Sequence, residues 1–472
     1  MTTPRKHLDE QDAVRDRRIA NLHDQQVAMA KAINKLQSDV AILRKRIPED
    51  DIVIPVPAPA PPPVVVPEPQ PVPAPGEGFI ARQPRADAVK ASEGDDLGSK
   101  LNEAQQKRTD LLLRAGDRFT GSLGKLWRSG TMIGSYGEGP RPVIESKDDI
   151  LFVEKGSNVN NAQIVGLEFR SLRRDPRNGK FSRMTWANSA IIWHGSGEDI
   201  LVEDCVVEFF AYGMVFDSTD RDTGKFIDGL TLNRNIIRYC WNTGHGNRAG
   251  VITGWVKGLV VEENVFDHNG HLPTAWGVSG ATPDDQSHAL YLAPLPEESG
   301  PRTGFEATVR GNIFARSGSH GIKGGPGGVL EDNLFVGNAI AGYMSRSDSE
   351  ILGNVVLDAT DISDDNPRGW GLEAFGMGLA TFTGNVYANP AVTSDDKRRD
   401  FHSSAGRTVA SGNHVYADTA GSVEMEGTEY HRRRLDHGVD LDRLINDESS
   451  RGHGQWTGDI AQAIQQVQEA AR

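Results

Sequence analysis

The sequence is poor in cysteine and contains no long run of apolar residues. Cys205 and Cys240 are the only cysteines among 472 residues, so we expect no disulfide framework. The first twenty residues contain no apolar run, which predicts that the protein leaves its cell without a Sec signal or as part of a larger assembly. No later segment is long and apolar enough to predict insertion into a membrane.

Positive charge is also in short supply. Lysine and arginine together number 51, against 65 aspartates and glutamates, which gives a net charge of −14. An acidic chain is a poor match for nucleic acid, because the phosphates carry the same sign, and its charge helps to keep a large surface soluble. We therefore expect no nucleic-acid partner.

What the sequence has in abundance is glycine and a recurring six-residue phrase. Its 52 glycines suit a fold with many sharp turns. The phrase reads apolar-x-x-Asn-apolar-apolar. Copies centre on Asn235, Asn264, Asn312, Asn333, Asn354, Asn385 and Asn413, an earlier copy carries Cys205 at the Asn position, and a degenerate copy covers 164–169.

The spacing of these copies predicts the kind of repeat. It varies from 21 residues, between Asn312 and Asn333, to 48 residues, between Asn264 and Asn312, which is typical of a solenoid whose loops accept insertions. Two packed helices do not fit into the shortest repeat, whereas three short strands and three turns do. We predict that each Asn occupies a bend in the left-handed conformation, and that the stacked Asn amides form a hydrogen-bonded ladder.

This pattern, with phrases such as LLLRAGDRFTG at 111–121 and FDHNG at 266–270, resembles the right-handed parallel β-helix proteins of the pectin-lyase-like superfamily. The resemblance extends over roughly residues 95 to 472. It implies an all-β fold, a right-handed parallel β-helix. The superfamily includes lyases, hydrolases, epimerases and non-catalytic adhesins, so the resemblance implies the fold rather than one activity.

The first 47 residues have the seam of a coiled coil, with apolar positions in alternating steps of three and four. Ile and Val at the a positions with Leu at d favour two strands in general, but a Gln at one a position and a β-helix body favour three, so we predict a trimer. An amphipathic helix packed on a globular core is the alternative. The seam positions are Ile19, Leu22, Gln26, Met29, Ile33, Leu36, Val40, Leu43 and Ile47.

The rest of the chain divides by composition. Residues 48–78 are rich in proline and predict a stiff polyproline II stalk. Residues 79–163 are expected to form an N-terminal cap and entry coils, with a short amphipathic helix at 96–105 over the open end of the solenoid. The β-helix is predicted at 164–418. A C-terminal extension at 419–472 carries an amphipathic helix that closes or flanks the other end.

Between the Asn bends, a second family of strands predicts a surface groove. If Met214, Val251 and Leu290 point inward, alternation sends a column of neighbours outward: Trp193, Val215, Ile252, Tyr291, Lys323, Met344 and Glu373. Aromatic faces pack on sugar rings and charged groups bind hydroxyls, so such a groove suits an extended glycan. The alternative is that the aromatic rings cover neighbours or lie in a subunit interface. We predict substrate-binding roles for Trp193, Tyr212, His288, Tyr291, His320 and Trp370.

Two catalytic schemes fit this groove, and the sequence leaves open whether the protein is an enzyme. The resemblance implies a lyase scheme in which Lys323 abstracts a proton beside Arg346, which neutralises a uronate. A hydrolase scheme requires two carboxylates at a suitable separation. Its groove-side candidates are Asp217, Asp267 and Glu373. The predicted catalytic set is Lys323, Arg346 and Glu373.

No cofactor or metal is predicted. Ser218, Asp220, Asp222 and Gly224 alternate like the ligands of a calcium loop, but no acidic residue follows at the twelfth position, which favours a surface loop. His268 and His271 lack a clear third ligand, which favours structural or solvated histidines over a zinc site.

The coiled coil, the stalk and the capped β-helix together resemble bacteriophage tail spikes and virion fibres. We therefore predict a trimeric spike that is attached to a virion by its N-terminal helices, acts outside the cell, and binds or depolymerises host surface polysaccharide. Three weak sites held on one particle would add their affinities through effective concentration. The alternatives are a free polysaccharide lyase or hydrolase exported without a Sec signal, and a structural fibre that binds nothing specific.

Overall fold

A computed structural model describes most of the chain beyond residue 80. The described residues are 81–182, 187–218, 224–243, 248–283, 286–293, 304–345, 348–360, 368–391, 399–418, 424–450 and 459–471. The predicted coiled coil at 1–47 and the proline-rich segment at 48–78 lie outside them.

The strands form three faces, and the chain visits face 1, face 2 and face 3 in turn. Face 1 contains Gly124–Lys125, Leu151–Val153, Ser189–Trp193, Tyr212–Asp217, Arg248–Gly254, Ser287–Leu292, His320–Gly324, Ile340–Ser345 and the first parts of Trp370–Thr383 and Phe401–Ser411. Face 2 contains Val89–Ala91, Leu111–Arg114, Met132–Tyr136, Gln163–Val165, Gly197–Glu203, Ile227–Asn233, Val256–Lys257, Leu259–Glu262, Ala307–Arg310, Gly328–Glu331, Ser349–Leu352 and the second parts of those two long strands. Face 3 contains Arg118–Thr120, Val143–Ser146, Glu168–Ser171, Val206–Glu208, Ile236–Arg238, Val265–Asp267, Ile313–Ala315, Leu334–Val336, Val355–Leu357, Val386–Ala388, Asn413–Tyr416 and Thr428–His431.

Strands of successive turns pair in parallel on every face. On face 2, for example, Val202 is in register with Leu232, and on face 3 Val206 is in register with Ile236. Parallel pairing of each strand with its counterpart one turn later, on three faces, is the arrangement of a parallel β-helix. The predicted parallel β-helix is therefore confirmed. The paired strands run from Val89 to His431, so the solenoid is longer than the predicted range of 164–418.

The Asn ladder is present as predicted. All seven Asn side chains of the phrase are fully buried. At each step a backbone N–H of one Asn donates to Oδ1 of the next, at 2.9 Å from Asn264 to Asn312 and 3.0 Å from Asn312 to Asn333. The Nδ2 of each Asn also donates to a carbonyl of the preceding turn, for example from Asn312 to Val261 at 2.9 Å. The ladder thus satisfies buried backbone groups at the bend between face 2 and face 3.

We predicted that the Asn adopts the left-handed conformation at the bend, and this was wrong. The residue before the Asn adopts it instead. Gly311 has φ of 61°, Asp332 of 47° and Glu263 of 52°, whereas no Asn of the described ladder has a positive φ. This placement explains why Gly precedes Asn in several copies, since Gly adopts this conformation without strain. The Asn is selected instead for its two-sided hydrogen bonding.

Small residues line the corner between face 3 and face 1. A Cβ added to Gly371 would lie 1.9 Å from the carbonyl oxygen of Asp400 and 2.9 Å from Cδ2 of Tyr387. The corresponding positions of other turns hold Ala190, Gly213, Gly250, Ala289, Gly321 and Ala341. The chain can turn tightly here only because these side chains are small.

We expect Gly371→Ala to lower the free energy of unfolding by about 2 kcal/mol, because the added methyl group overpacks the corner. Chemical denaturation would measure the change. The matched control is Gly179→Ala, where an added Cβ meets nothing within 4 Å. Equal stability of the two variants would contradict the tight packing of this corner.

In the described part of the chain, helices cover the solenoid in two places. The helix Leu97–Lys107, capped by the Asp96 carboxylate, inserts Leu97, Leu101 and Ala104 into the main core, which confirms the helix predicted at 96–105. A 3-10 turn spans Thr274–Trp276. Two C-terminal helices, Leu441–Ser450 and Asp459–Ala470, cover the outer surface of face 3. The C-terminal helices therefore flank the side of the solenoid.

These C-terminal helices explain why face 3 is apolar on both sides. Ile445, Ile464 and Val467 pack against a column of outward-facing aliphatic residues. That column includes Val206, Ile236, Val265, Ile313, Leu334, Val355 and Val386. Its burial removes an apolar surface that would otherwise face water. Among the described residues, no helix has both the length and the apolar character needed to cross a membrane.

Candidate functional site

The candidate site is an outward-facing column on face 1, which we call the outer column. Its members are in register from turn to turn: Ile192, Val215, Ile252, Tyr291, Lys323, Tyr343, Glu373 and His402. Their inward neighbours Met214, Val251 and Leu290 are fully buried, as predicted. Alternation along the strand thus places polar and aromatic side chains on the outside of face 1.

Two residues predicted to face outward are in the core. Trp193 is in register with Phe216 and its ring centroid lies 6.2 Å from that of Phe216, with no exposed surface. Met344 is also fully buried. The predicted inward and outward positions were wrong by one residue in these turns. Ile191 pairs with the inward-facing Met214, so Trp193, two residues later on the same strand, also faces inward. Trp193 is a core residue and is unsuited to glycan binding.

Met344 was wrongly predicted to face outward because the turns were aligned on their glycines. Gly342 pairs with Ile322 on one side and with Leu372 on the other, so it occupies an inward position. The corner position, which holds Gly321 and Gly371 in neighbouring turns, holds Ala341 here. Tyr343 is therefore the outward residue of this turn. Aligning the turns on their hydrophobic residues rather than on glycine would have found it.

Two histidines, His288 and His320, lie three residues before the outer-column members Tyr291 and Lys323. The ring centroid of His288 lies 5.3 Å from that of Tyr291 and 4.9 Å from that of His320. The Nζ of Lys323 lies 5.5 Å from the centroid of the Tyr291 ring. Three of the predicted binding residues and the predicted base are therefore brought together on two adjacent turns.

Both histidines are held neutral at physiological pH. Burial, with a smaller contribution from the positive charge of Lys323, lowers the pKa of His288 to about 3. Burial also lowers the pKa of His320 well below its usual value, and the nearby His288 and Lys323 add to this. His320 Nδ1 lies 2.9 Å from the hydroxyl of Ser319. A charged imidazole is disfavoured at these positions because it would lose its hydration.

Because the folded state resists protonation of His288, stability should fall in acid. Between its folded pKa of about 3 and the ordinary value of roughly 6.5, the unfolded chain binds more protons, so stability is full above pH 6.5 and is lost as the pH falls. The expected slope from this residue is about 1.4 kcal/mol per pH unit. We expect His288→Gln to flatten that slope in denaturation curves measured from pH 7 to pH 5. An unchanged slope would contradict the assignment.

Beyond the turn of Tyr343, two further turns carry positive charge around an indole. The guanidinium carbons of Arg368 and Arg399 each lie 4.7 Å from the ring centroid of Trp370. Nη1 of Arg399 donates to Oε1 of Glu373 at 3.1 Å. Trp370, predicted to stack on sugar, therefore also orients two arginines. The stacked guanidinium groups keep their positive charge, which suits an acidic ligand that carries a carboxylate or sulfate.

Glu373 is nearly buried, with 3% of its side chain exposed. Burial raises the pKa of this carboxyl, and the Arg399 guanidinium partly opposes the rise. A carboxyl with a raised pKa can act as a proton donor or remain as the counter-ion of Arg399. Its position next to Trp370 places it within the cluster that the outer column forms.

The outer column continues in an aromatic run that the sequence reasoning missed. The ring of Tyr343 lies 5.0 Å, centroid to centroid, from that of Phe375, and Phe375 lies 5.5 Å from His402. Tyr343, Arg368, Arg399 and His402 were not predicted as site residues. The turns from His288 to His402 span four steps of about 4.8 Å, or roughly 19 Å of aromatic and charged surface.

Other predicted residues lie elsewhere. Tyr212 is in register with Ser189, two turns before His288 on the same face. Arg346 lies outside the described residues, as do Asp220 and Asp222 of the possible calcium loop.

The carboxylates of the hydrolase scheme are not assembled. Asp217 is five turns from Glu373 along face 1, about 24 Å at 4.8 Å per turn. Asp267 is on face 3, is almost fully buried, and accepts a bond from Nε of Arg316 at 2.8 Å. Glycosidase carboxylates lie roughly 5 to 10 Å apart. These three residues therefore cannot form a catalytic pair with one another.

Comparison with known proteins gives no match to a protein-family model or to a curated protein. Among solved structures, the chain is similar to an alginate lyase from Paenibacillus sp., with 13% identity, 72% of this chain and 99% of that chain covered, and a TM-score of 0.38. It is also similar to the Dettilon tailspike protein, with 13% identity, 73% of this chain and 68% of that chain covered, and a TM-score of 0.36. A third similar structure is the A-module of a mannuronan C-5 epimerase from Azotobacter vinelandii, with 13% identity, 72% of this chain and 97% of that chain covered, and a TM-score of 0.39. A likeness of this degree carries no argument for activity, and the parallel β-helix itself rests on the strand pairings.

Proposed function

We propose that the outer column of face 1 binds an extended anionic polysaccharide. The observation that carries this proposal is the run of aromatic and cationic side chains over consecutive turns, from Tyr291 and Lys323 to Trp370 and Arg399. Aromatic rings stack on the apolar faces of sugars, and the cations pair with acidic groups. The regular step between turns suits a ligand that is itself a repeating polymer.

An acidic polymer fits better than a neutral one because of the local charge. The whole chain is acidic, with a net charge of −14, yet Lys323, Arg368 and Arg399 lie within a few turns of one another. The positive charge of Lys323 and Arg368 acts on the same imidazole, that of His320. A concentration of cations on an acidic protein raises the local affinity for an anionic ligand.

Cleavage by β-elimination is the second part of the proposal, and the position of Lys323 favours it. Lys323 binds as a cation, and once it has given its own proton to solvent its neutral amine removes the proton next to the uronate carboxylate. Arg368 and Arg399 neutralise that carboxylate, in place of the predicted Arg346. The bond from the sugar ring to the leaving oxygen then breaks, a carbon–carbon double bond forms, and the leaving oxygen takes a proton from Tyr343 or solvent. Hydrolysis by Asp217, Asp267 and Glu373 is not proposed.

In the organism, we propose that the protein is a trimeric spike or fibre of a virus particle. The support is the heptad seam at 1–47 and the proline-rich segment at 48–78, which would anchor three chains and hold the β-helix away from the particle. The site would then meet the surface polysaccharide of a host cell. A free polysaccharide lyase would have the same site and would need no particle.

The test is to incubate the full chain with a panel of acidic and neutral polysaccharides. Retention on acidic polymers, weakened by salt, is the expected result, together with new unsaturated sugar ends detected by ultraviolet absorbance. Retention without such ends would refute elimination and leave binding intact. Failure to bind any acidic polymer, or stronger retention on neutral ones, would refute the proposal. Light scattering of the same sample would show whether the chain is a trimer.

A further inference from the structure

Three potential metal ligands meet at the C-terminal end of face 3. His414 lies on the strand Asn413–Tyr416, and Glu429 and His431 lie on the last strand, Thr428–His431. The Nδ1 of His414 is 3.5 Å from Nε2 of His431. The Oε2 of Glu429 is 3.7 Å from the first of these nitrogens and 3.8 Å from the second.

These separations match those of ligands around one metal ion. Zinc binds histidine nitrogen at about 2.0–2.1 Å and carboxylate oxygen at about 2.0–2.2 Å, so ligand atoms of a tetrahedral site lie roughly 3.4 Å from one another. All three separations exceed that value by less than about half an ångström. Small side-chain rotations would therefore close the site. Among the described residues, this is the one group of three or more His, Cys, Asp or Glu side chains with this geometry.

The ring of His431 is already positioned by its surroundings. It stacks on the ring of Tyr416, with centroids 4.3 Å apart and 12° between planes. The hydroxyl of Tyr416 in turn donates to the carbonyl of Ala471 at 2.7 Å, which ties it to the C-terminal helix. His414 is in register with Glu429 on the neighbouring strand. Pre-positioned ligands bind a metal at a smaller entropic cost.

The last turn also lacks the Asn ladder that links the turns from Asn235 to Asn413. The Asn ladder stops at Asn413, because the residue in register with it on the last strand is Thr428. The buried hydroxyl of Thr428 has no hydrogen-bond partner among the described residues. The last strand is therefore attached without the side-chain ladder, and a metal held by both strands would replace it.

We propose that His414, Glu429 and His431 bind one divalent transition-metal ion, with zinc as the best match to two imidazoles and a carboxylate. The ion fastens the last strand of face 3 to the strand before it. Water completes the coordination on the exposed side, where Glu429 is 72% exposed. This inference is independent of the proposed polysaccharide site, which is on another face.

The test is calorimetric titration of zinc chloride into the full chain after treatment with a chelator. We expect one strong site per chain, and a loss of affinity on the order of 100-fold or more in His414→Ala and in His431→Ala. His437→Ala is the matched control, because this histidine is near the same helices but outside the cluster, and it should keep the site. Zinc binding that is absent, or equal in all four proteins, would overturn the proposal.

A second measurement separates metal binding from a folding defect. Hydrogen exchange of the amides at Thr428–His431 should slow when zinc is added to the natural chain and should not respond in His414→Ala, even if that variant melts at the same temperature without zinc. Zinc that binds without protecting this strand would overturn the fastening role.

Discussion

Replacing both Lys323 and Arg368 with glutamine should lower the affinity for an acidic polysaccharide by about 100-fold. Each change removes a charge-assisted contact worth roughly 1.5 kcal/mol, and the two together amount to about 3 kcal/mol. The remaining binding should depend less on salt, because fewer charges take part. Affinity for one defined oligosaccharide at two salt concentrations is the measurement. Glutamine retains most of the length of each side chain, so the change isolates charge.

The control must have the same net charge without touching the outer column. Lys155→Gln with Arg432→Gln meets this condition, since both side chains are exposed. Lys155 follows a face 1 strand four turns before that of His288, and Arg432 follows the last strand of face 3. If this control lost as much affinity as the site variant, binding would depend on overall charge and not on the outer column. If neither variant lost affinity, the polysaccharide would bind elsewhere.

Asn312→Ala should be among the most destabilising single substitutions in the solenoid, at about 4 kcal/mol. The side chain of Asn312 accepts from the backbone N–H and from Nδ2 of Asn264. It also donates to Val261, Arg310 and Asn333 at 2.9 Å each. Each lost bond costs about 1 kcal/mol, and the partners stay buried without replacement. Chemical denaturation monitored by circular dichroism is the measurement.

Two further variants show whether the ladder itself is responsible. Asn160→Ala removes a single side-chain bond, from the backbone N–H of Glu198 at 3.0 Å, and should cost no more than about 1.5 kcal/mol. Cys205→Asn should preserve or raise stability, because Cys205 occupies the position of a ladder Asn and its backbone N–H already donates to Oδ1 of Asn235. A large loss in Cys205→Asn, or a small one in Asn312→Ala, would show that stacked amides are not what holds the bend.

The contrast between the Asn ladder and the outer column shows which features a sequence can predict. The Asn phrase was predictable because it recurs at the same corner in seven turns and each copy reports the same physical requirement. Tyr343 was not, because its strand carries glycine at an inward position, and a shift of one residue exchanges inside for outside. An error of one residue also led to the prediction that Trp193 lies on the surface, whereas it lies in the core.

The candidate sites depended even more on the third dimension. The outward positions of Lys323 and Glu373 were predictable because a column on one face follows from alternation. Arg399 was missed because it lies just before its strand, where no alternation applies. His414, Glu429 and His431 are close only because two successive strands pair in register, and their spacing in the chain has no metal-binding pattern.

The sequence by itself determined that the chain repeats, that the repeat is too short for helices, and that Asn occupies one corner of a parallel β-helix. Only the tertiary structure decided which side chains face outward, which carboxylates are too far apart to act together, and how the C-terminal helices cover face 3. The physical reason is that the repeat depends on local backbone needs, which each copy carries, whereas a site depends on the register between turns. Because the loops accept insertions, the number of residues between two strands does not predict which of their residues are in register.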